Sequence, residues 1–484
     1  MRKLLIVIEL FIFVFPFLRG YENNNYSHLT SKSESCYLKE NSFLDDNSSL
    51  NYFDKLSHWI NKGAKYIHEY EGKITALDVQ GDSNNILDKN QSHGYGNSVY
   101  HQKNDGSFSF EINALENILI QFDLEYYSLT ANVLPIEFEI KINNQIQYSE
   151  MSGVSIPTYW KSDNDDFIVD RYGNEILPTQ SQVNKYFTYS LMDGARVSQE
   201  PLYFYLTKGT NVITINQISG EFLFGSLYYH GLQQIISYDK YIQNYSNEKI
   251  YDGIDTYEAE KIEIKNNASL QPSSSQDFSA SPNYTVKRKI NIISSDVFRN
   301  SGDSVTWSIE AKKSGLYNIS FKAKQDKNKN AKSYFNILIN NELPFEECKN
   351  ISFSYSSKWK NYTICDDDNK GYLFYLEEGI NTITLLSNAS IMGENHNKLR
   401  KIIVNINNLG LDIKQLTGNN SDPNRDWDLE KYLPGVTKEI QDCKNIIQIC
   451  YTKQRCEMSM TFLKKFHLNV MYKNILSKQR YVIV

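Results

Sequence analysis

The sequence predicts a mainly β protein: two tandem antiparallel β-sandwich modules joined by short helices, with a helical segment towards the C-terminus. Three observations predict it. A long stretch is duplicated. Its segments alternate apolar and polar residues with period two. After the second copy the apolar period becomes that of a helix.

The first copy reads Gly106-Ser-Phe-Ser-Phe110-Glu-Ile112 and the second Asp303-Ser-Val-Thr-Trp307-Ser-Ile309. Phe110 to Ile142 spans 32 positions, as does Trp307 to Ile339, and both continue as Ile-Asn-Asn, at Ile142-Asn143-Asn144 and Ile339-Asn340-Asn341. Further on, the stretch from Leu202 to Ile215 matches that from Tyr372 to Leu385. Trp160 and Trp359 fall at comparable places before it, and the first copy carries 29 extra residues between its Trp and this motif (42 positions against 13). The insert, Asp163 to Ala195, is polar and rich in turn formers and reads as a surface loop. A period this long means duplicated domains, not a solenoid of short units.

Each repeated segment reads as a strand with one buried face. Val305, Trp307 and Ile309 share a side, as do Phe335, Ile337 and Ile339. Ser314-Gly315 and Glu377-Glu378-Gly379 mark turns, and short strands spaced this way make a sandwich. Helical spacing appears in Tyr52–Tyr66, with Leu56, Trp59 and Ile60, and in Ile236–Tyr245, both read as connectors. Leu399, Ile402, Ile403, Ile406, Leu409, Ile413 and Leu416 form one helical face that should stop at Thr417-Gly418. The resulting layout is a signal peptide or anchor over 1–20 and a linker with a helix over 21–65. A first sandwich over 66–235, a linker helix over 236–255 and a second sandwich over 256–388 follow. A helix over 389–417, a connecting loop over 418–435 and a divergent tail over 436–484 complete it.

Composition narrows the function. Of 484 residues, 51 are Lys or Arg and 57 Asp or Glu, a net charge of -6, which argues against a dedicated nucleic-acid binder. Aromatics reach 13% with 35 Tyr, which suits sheets with wet faces and also follows from a coding bias that enriches Asn, Lys and Ile. Arg2 and Lys3 precede an apolar run from Leu4 to Leu18, interrupted by Glu9, so export is expected, with cleavage or membrane-surface anchoring both open. None of the six Cys forms CxxC, so a zinc ribbon is not supported. Cys348 and Cys365 lie in one module and could pair as a disulfide, or be two unrelated buried thiols.

The order of motifs resembles a known family. Tyr257-Glu258-Ala259-Glu260, Ser304-Val-Thr-Trp307, Ser314 to Ser320, Ile339 to Phe345, Tyr355-Ser-Ser-Lys-Trp359, Tyr372 to Leu376, Thr417-Gly418 and Asp422 to Pro434 occur in the order found in the N-terminal half of Gram-positive extracellular solute-binding proteins of ABC sugar importers. There, two carbohydrate-binding-module-like sandwiches, of jelly-roll, galactose-binding-like type, precede the solute-binding lobes. The resemblance covers roughly residues 50–435. The lobes appear absent from this chain, and the tail from about Val436 onward resembles nothing expected of the family. The resemblance implies an oligo- or polysaccharide ligand and an ABC permease as the transport partner.

Sugar sites use exposed rings that stack on apolar sugar faces, with carboxylates and amides taking hydroxyls. Trp160 and Trp359 are the leading platforms, and Tyr355 and Tyr172 the next, against the alternative that Trp359 caps the sandwich edge. Trp307 reads as core. By the same resemblance Glu260, with Glu258, would supply ligands to a structural calcium, which needs six to eight oxygens. Asp366-Asp367-Asp368 reads as a solvated acidic turn, and Arg425-Asp426-Trp427 as an interdomain lock. No GxSxG, HExxH or P-loop occurs. The expected function is therefore non-catalytic extracellular carbohydrate binding; the alternatives are a structural spacer of a cell-surface protein and an accessory fragment of a glycoside hydrolase.

Overall fold

The computed structural model describes residues 51–459, apart from 69, 82–84, 131, 199, 328–331, 367–368 and 419–427. The expected signal over 1–20, Cys36, Asp367, Asp368, the Arg425-Asp426-Trp427 lock and the tail beyond Ser459 lie outside the described residues. The chain divides into two compact units, Tyr52–Ser390 and Met1–Asn51 with Ile391–Val484. The fold is mainly β, with several sheets and a few helices.

Period-two patterning sets the first core. Phe108, Phe110, Ile112 and Ala114 alternate inward along Ser107–Ala114. Their strand heads an antiparallel sheet in the order Ser107–Ala114, Gly209–Ser219, Ile136–Ile142, Val154–Ile156. An eight-stranded sheet built on Ile118–Ser128 and Phe222–His230 contributes Phe122, Leu124, Tyr126, Phe222 and Phe224 to the same core. Burying each such ring contributes roughly 2–3 kcal/mol. A second core gathers Val305, Trp307, Ile337, Phe345, Phe374, Ile383 and Leu385. Its main sheet runs Ser304–Ala311, Gly379–Asn388, Ser333–Ile339, Ile351–Phe353, the same order as the first.

The repeated Ile-Asn-Asn is a turn. Asn143 and Asn144 take φ of 50° and 62°, and Asn340 and Asn341 take 51° and 68°. Two successive left-handed residues suit the twist of a hairpin, and Asn tolerates that conformation. A buried Asn from the later strand then clasps each turn. Asn143 Nδ2 donates to Asn211 Oδ1 (3.0 Å), and Asn340 Nδ2 donates to Asn381 Oδ1 (3.1 Å). Val212 N–H donates to Asn143 Oδ1 and Thr382 N–H to Asn340 Oδ1.

The repeat reaches further than the strands. α1 (Tyr52–Asn61) and α2 (Tyr238–Asn244) dock alike, each on the half of the chain that follows it. Tyr52 N–H donates to Glu150 Oε2 (2.9 Å) and Tyr238 N–H to Glu347 Oε2 (2.8 Å). Each Glu stands eight positions after the Ile of its Ile-Asn-Asn turn. The Tyr52 hydroxyl accepts Tyr203 N–H, and that of Tyr238 accepts Leu373 N–H. Seven residues on, Trp59 stacks on Tyr205 and Tyr245 on Tyr375. A carboxyl oxygen at the helix start satisfies an otherwise orphaned N–H. The two helices are thus integral to the repeated unit, rather than linkers between sandwiches.

The insert is not a loose surface loop. Gln180–Gln182 pairs with Trp160–Ser162, whose Trp160 faces Lys265 in Ile264–Lys265, so both strands join the sheet of the second half. Phe187–Ser190 adds to the first half along Ile118–Ser128. Asp193 is buried and accepts Val197 N–H (2.9 Å) and Ser198 N–H (2.7 Å). The polar side chains that read as loop are spent on cross-strand and turn hydrogen bonds.

α3 (Ser390–Thr417) ends before Gly418, whose φ is 74°; α4 (Leu429–Tyr432) and α5 (Val436–Ser459) follow. Along α5 the buried residues Val436, Cys443 and Cys450 recur every seven positions, one face of a helix. Burial pushes the Cys443 thiol up to about 11. Among the described residues no helix is long and apolar enough to cross a membrane.

Candidate functional site

The expected ring platforms part company. Trp160 is 7% exposed, with Nε1 donating to Thr158 Oγ1 (3.0 Å), so it cannot stack on a ligand. A lone Trp does not reveal that its strand is flanked on both sides by other strands. Tyr172 stands exposed on the insert's hairpin. Tyr355 and Trp359 remain together, on the loop that leads into Lys360–Thr363.

That loop is built against its neighbours. Ala323, at the end of Ser320–Ala323, pairs with Lys360, which brings Lys324 to Trp359. Ser356 N–H donates to Gln325 O (2.8 Å), and the Tyr362 hydroxyl donates to Ser354 O (3.2 Å). Lys324 Nζ lies 5.9 Å from the Trp359 ring centroid, 3.2 Å from Asp326 Oδ2 and 4.0 Å from Asp277 Oδ2. Asp277 comes from a loop tied down by buried Asn291, which accepts Ser275 N–H and donates to Ser275 O and Pro282 O. The Ser279 N–H, chiefly, with Lys324 in support, holds the Asp277 carboxyl below the usual range. Phe278, 77% exposed, stands beside it. The half-buried Trp359 keeps its indole N–H inside without a hydrogen bond.

Lys324 thus gathers the Trp359 ring, Asp277 and Asp326, with the exposed Phe278 and Tyr355 next to them along the chain. Rings offer flat apolar faces, and the ionised groups take or give hydrogen bonds to hydroxyls. Sequence reading found Tyr355 and Trp359 but missed Asp277, Phe278 and Lys324. Asp277-Phe278 sits in a Ser-rich turn cluster outside the repeat match, and only the fold brings it near.

Glu260 is buried, and desolvation first, then the charges of Glu258 and Glu175, push its carboxyl up to about 7. Among the described residues no group of three or more His, Cys, Asp or Glu comes together. Cys348 and Cys365 are free thiols rather than a disulfide: Cys348 is buried in the second core, which pushes its thiol well above its ordinary value, and Cys365 is half-buried.

Residues 394–459 match the model of the bacterial solute-binding protein 4-helix bundle domain. The match takes in most of α3, with α4 and α5, so the tail left without a resemblance by sequence reading carries one as far as Ser459. No curated protein matches. Similar solved structures include a family 35 carbohydrate binding module from Clostridium thermocellum, at 14% identity and TM-score 0.21 over 34% of this chain and 99% of that one. They also include the CBM35 from Cellvibrio japonicus Abf62, at 13% and 0.21 over 34% and 100%. A third is the Podospora anserina GH26-CBM35 β-(1,4)-mannanase, at 12% and 0.22 over 38% and 37%. Likenesses at this level decide nothing about a ligand.

Proposed function

We propose that the protein is a non-catalytic carbohydrate-binding component of a bacterial sugar-uptake system, exported to the cell surface and working with an ABC permease. The observation that carries the binding role is the cluster of Trp359, Lys324 and Asp277 in the second half, with exposed Phe278 and Tyr355 beside it along the chain. The transport setting is supported by the match of residues 394–459 to a solute-binding protein domain. In this reading the rings hold a sugar's apolar face, while Asp277 and Lys324 select hydroxyl positions. Affinity electrophoresis of the full chain against a panel of neutral polysaccharides tests it. Retardation by at least one polysaccharide, weakened about fivefold by Trp359→Ala at unchanged thermal stability, is expected, since a ring contact is worth about 1 kcal/mol. No retardation by any polysaccharide would refute it.

A second reading, a rigid spacer, is favoured by the strands of the first half that join the sheet of the second. It predicts no binding and indifference to Trp359→Ala.

A further inference from the structure

Among the described residues the hairpin of Ile168–Val169 and Glu175–Ile176 pairs with no other strand. Its outward side chains are apolar: Ile168, Val169 at 59% exposure and Tyr172 at 66%. A loop of the second half lies against it. Glu175 N–H donates to Arg288 O (2.9 Å), Arg288 N–H donates to Asn174 Oδ1 (3.0 Å), and the Lys287 side chain covers Gly173. This loop adds Val286, 87% exposed.

Three cations stand at the same tip: Arg171, Lys287 and Arg288. None forms an ion pair among the described residues. Arg171 lies 4.6 Å from the Tyr172 ring centroid, and Arg288 Nε donates to Glu175 O. The acid of the turn, Asp170, is occupied by Tyr172 N–H, Asn174 N–H and Asn174 Nδ2. Glu175 is taken by Lys289 and Ile290 N–H. The exposed acids Asp163, Asp165 and Asp166 lie in the bend that precedes Ile168, outside the hairpin's strands, and Asp166 pairs with Lys261. A basic tip on a chain of net charge -6 runs against the overall sign.

We propose that this tip is an interfacial anchor for an anionic lipid surface. Aliphatic Ile168, Val169 and Val286 gain nothing from a sugar but are covered at the boundary between headgroups and acyl chains. Tyr172 suits the same depth, with its ring in the apolar layer and its hydroxyl among headgroups. Arg171, Lys287 and Arg288 complement anionic headgroups, and Arg and Lys stems bury alongside apolar surface. The hairpin belongs to no larger sheet, so its tip can enter the headgroup layer without disturbing either core. This reading is independent of carbohydrate binding by the Trp359 surface.

Co-sedimentation of the full chain with vesicles tests it, using phosphatidylcholine alone and phosphatidylcholine with phosphatidylglycerol. Binding to the mixed vesicles that exceeds binding to phosphatidylcholine and weakens with salt is expected. Changing Arg171, Lys287 and Arg288 together to Gln should lower the partition coefficient about a hundredfold, each cation near the surface being worth about fivefold. Val169→Ser with Tyr172→Ser should lower it further at high salt. All these residues are exposed, so unchanged circular dichroism certifies the fold. Equal partitioning of the triple variant, or binding to soluble polygalacturonate with none to anionic vesicles, overturns the proposal.

Discussion

Replacing Asn211 by Ala should unfold the first half far more readily than replacing its counterpart Asn381 unfolds the second. Both side chains are buried. Asn211 Nδ2 donates to Thr207 O (2.7 Å) and Gly209 O (3.0 Å), while its Oδ1 accepts from Asn143 Nδ2, Thr207 N–H and Thr207 Oγ1. Asn381 Nδ2 donates to Glu377 O (2.7 Å) and Gly379 O (3.2 Å), and its Oδ1 accepts from Asn340 Nδ2. The difference is the residue four positions earlier, Thr207 in one copy and Glu377 in the other. At about 1 kcal/mol net per hydrogen bond, Asn211→Ala should cost about 4–5 kcal/mol and Asn381→Ala about 3 kcal/mol. For domains of this size the former corresponds to a fall of about 10 °C or more in Tm. Urea unfolding followed by tryptophan fluorescence measures both. The companion Thr207→Val should take about 1 kcal/mol from the first clasp. A cost below about 1 kcal/mol for Asn211→Ala, or a larger cost for Asn381→Ala, would sink the accounting.

Stability should also fall as pH rises through neutrality. Burial, opposed by hydrogen bonds from its own backbone, Tyr52 N–H and Ser149, pushes the Glu150 carboxyl up to about 7. The folded value lies above the unfolded one, so the folded chain holds a proton that the unfolded chain releases. This contribution is complete below about pH 4.5 and is lost as pH rises through about 7, roughly 3 kcal/mol in all. Glu260 acts in the same direction. Glu150→Gln should flatten the stability–pH curve between those limits and exceed the parent chain at pH 8; an unchanged slope would count against a buried, protonated Glu150. Gly231→Ala should lower the urea midpoint strongly, because an added Cβ would lie 1.6 Å from Ile67 O. Backbone, unlike a flexible side chain, cannot swing aside, and overpacking of this kind costs about 1–3 kcal/mol; a midpoint within error of the parent would mean the Ile67 segment yields freely.

The strands were legible because one face of each is buried, which imprints period two on Ser107–Ala114 and Ser304–Ala311 alike. The Ile-Asn-Asn motifs were legible as a repeat but not as turns, although few residues tolerate two left-handed positions in a row. The helices' membership in the repeat was not, although a signal existed: Tyr52 and Trp59, like Tyr238 and Tyr245, are seven apart, and Glu150 and Glu347 stand at matching positions. Those contacts run over about 100 residues of chain, from Tyr52 to Glu150 and from Tyr238 to Glu347, and no local periodicity reports them. The insert was misread for a related reason. Polar strands that satisfy one another across a sheet edge have the composition of a loop. Of the expected rings, Tyr355 and Trp359 stay near each other because a short loop carries both, whereas Trp160 is buried in a strand flanked by Gln182 and Lys265, pairings that no motif announces.

The seam between the two halves bears on how several ligand contacts would combine. Weak modules on a flexible linker raise one another's effective concentration over a broad range of ligand lengths. Here the halves share a sheet through Trp160 and Lys265, and Glu175 binds Lys289 and Ile290 N–H across the seam. Arg196 lies over the Tyr189 ring, its carbonyl accepts Ser301 Oγ–H, and its side chain fills the space an added Cβ would need at Gly302, where φ is 84°. Burial lowers the Arg196 guanidinium to about 10. A seam of this kind fixes the separation of surfaces on the two halves, so the effective concentration is high for a ligand of matching span and near zero for shorter ones. If the first half also binds sugar, affinity measured across an oligosaccharide ladder should rise in one step rather than gradually. Gly302→Val, which the left-handed backbone and Arg196 both oppose, should loosen the seam and spread that step over several lengths. A smooth rise with length in the parent chain would show that the two halves move independently, whatever their shared strands suggest.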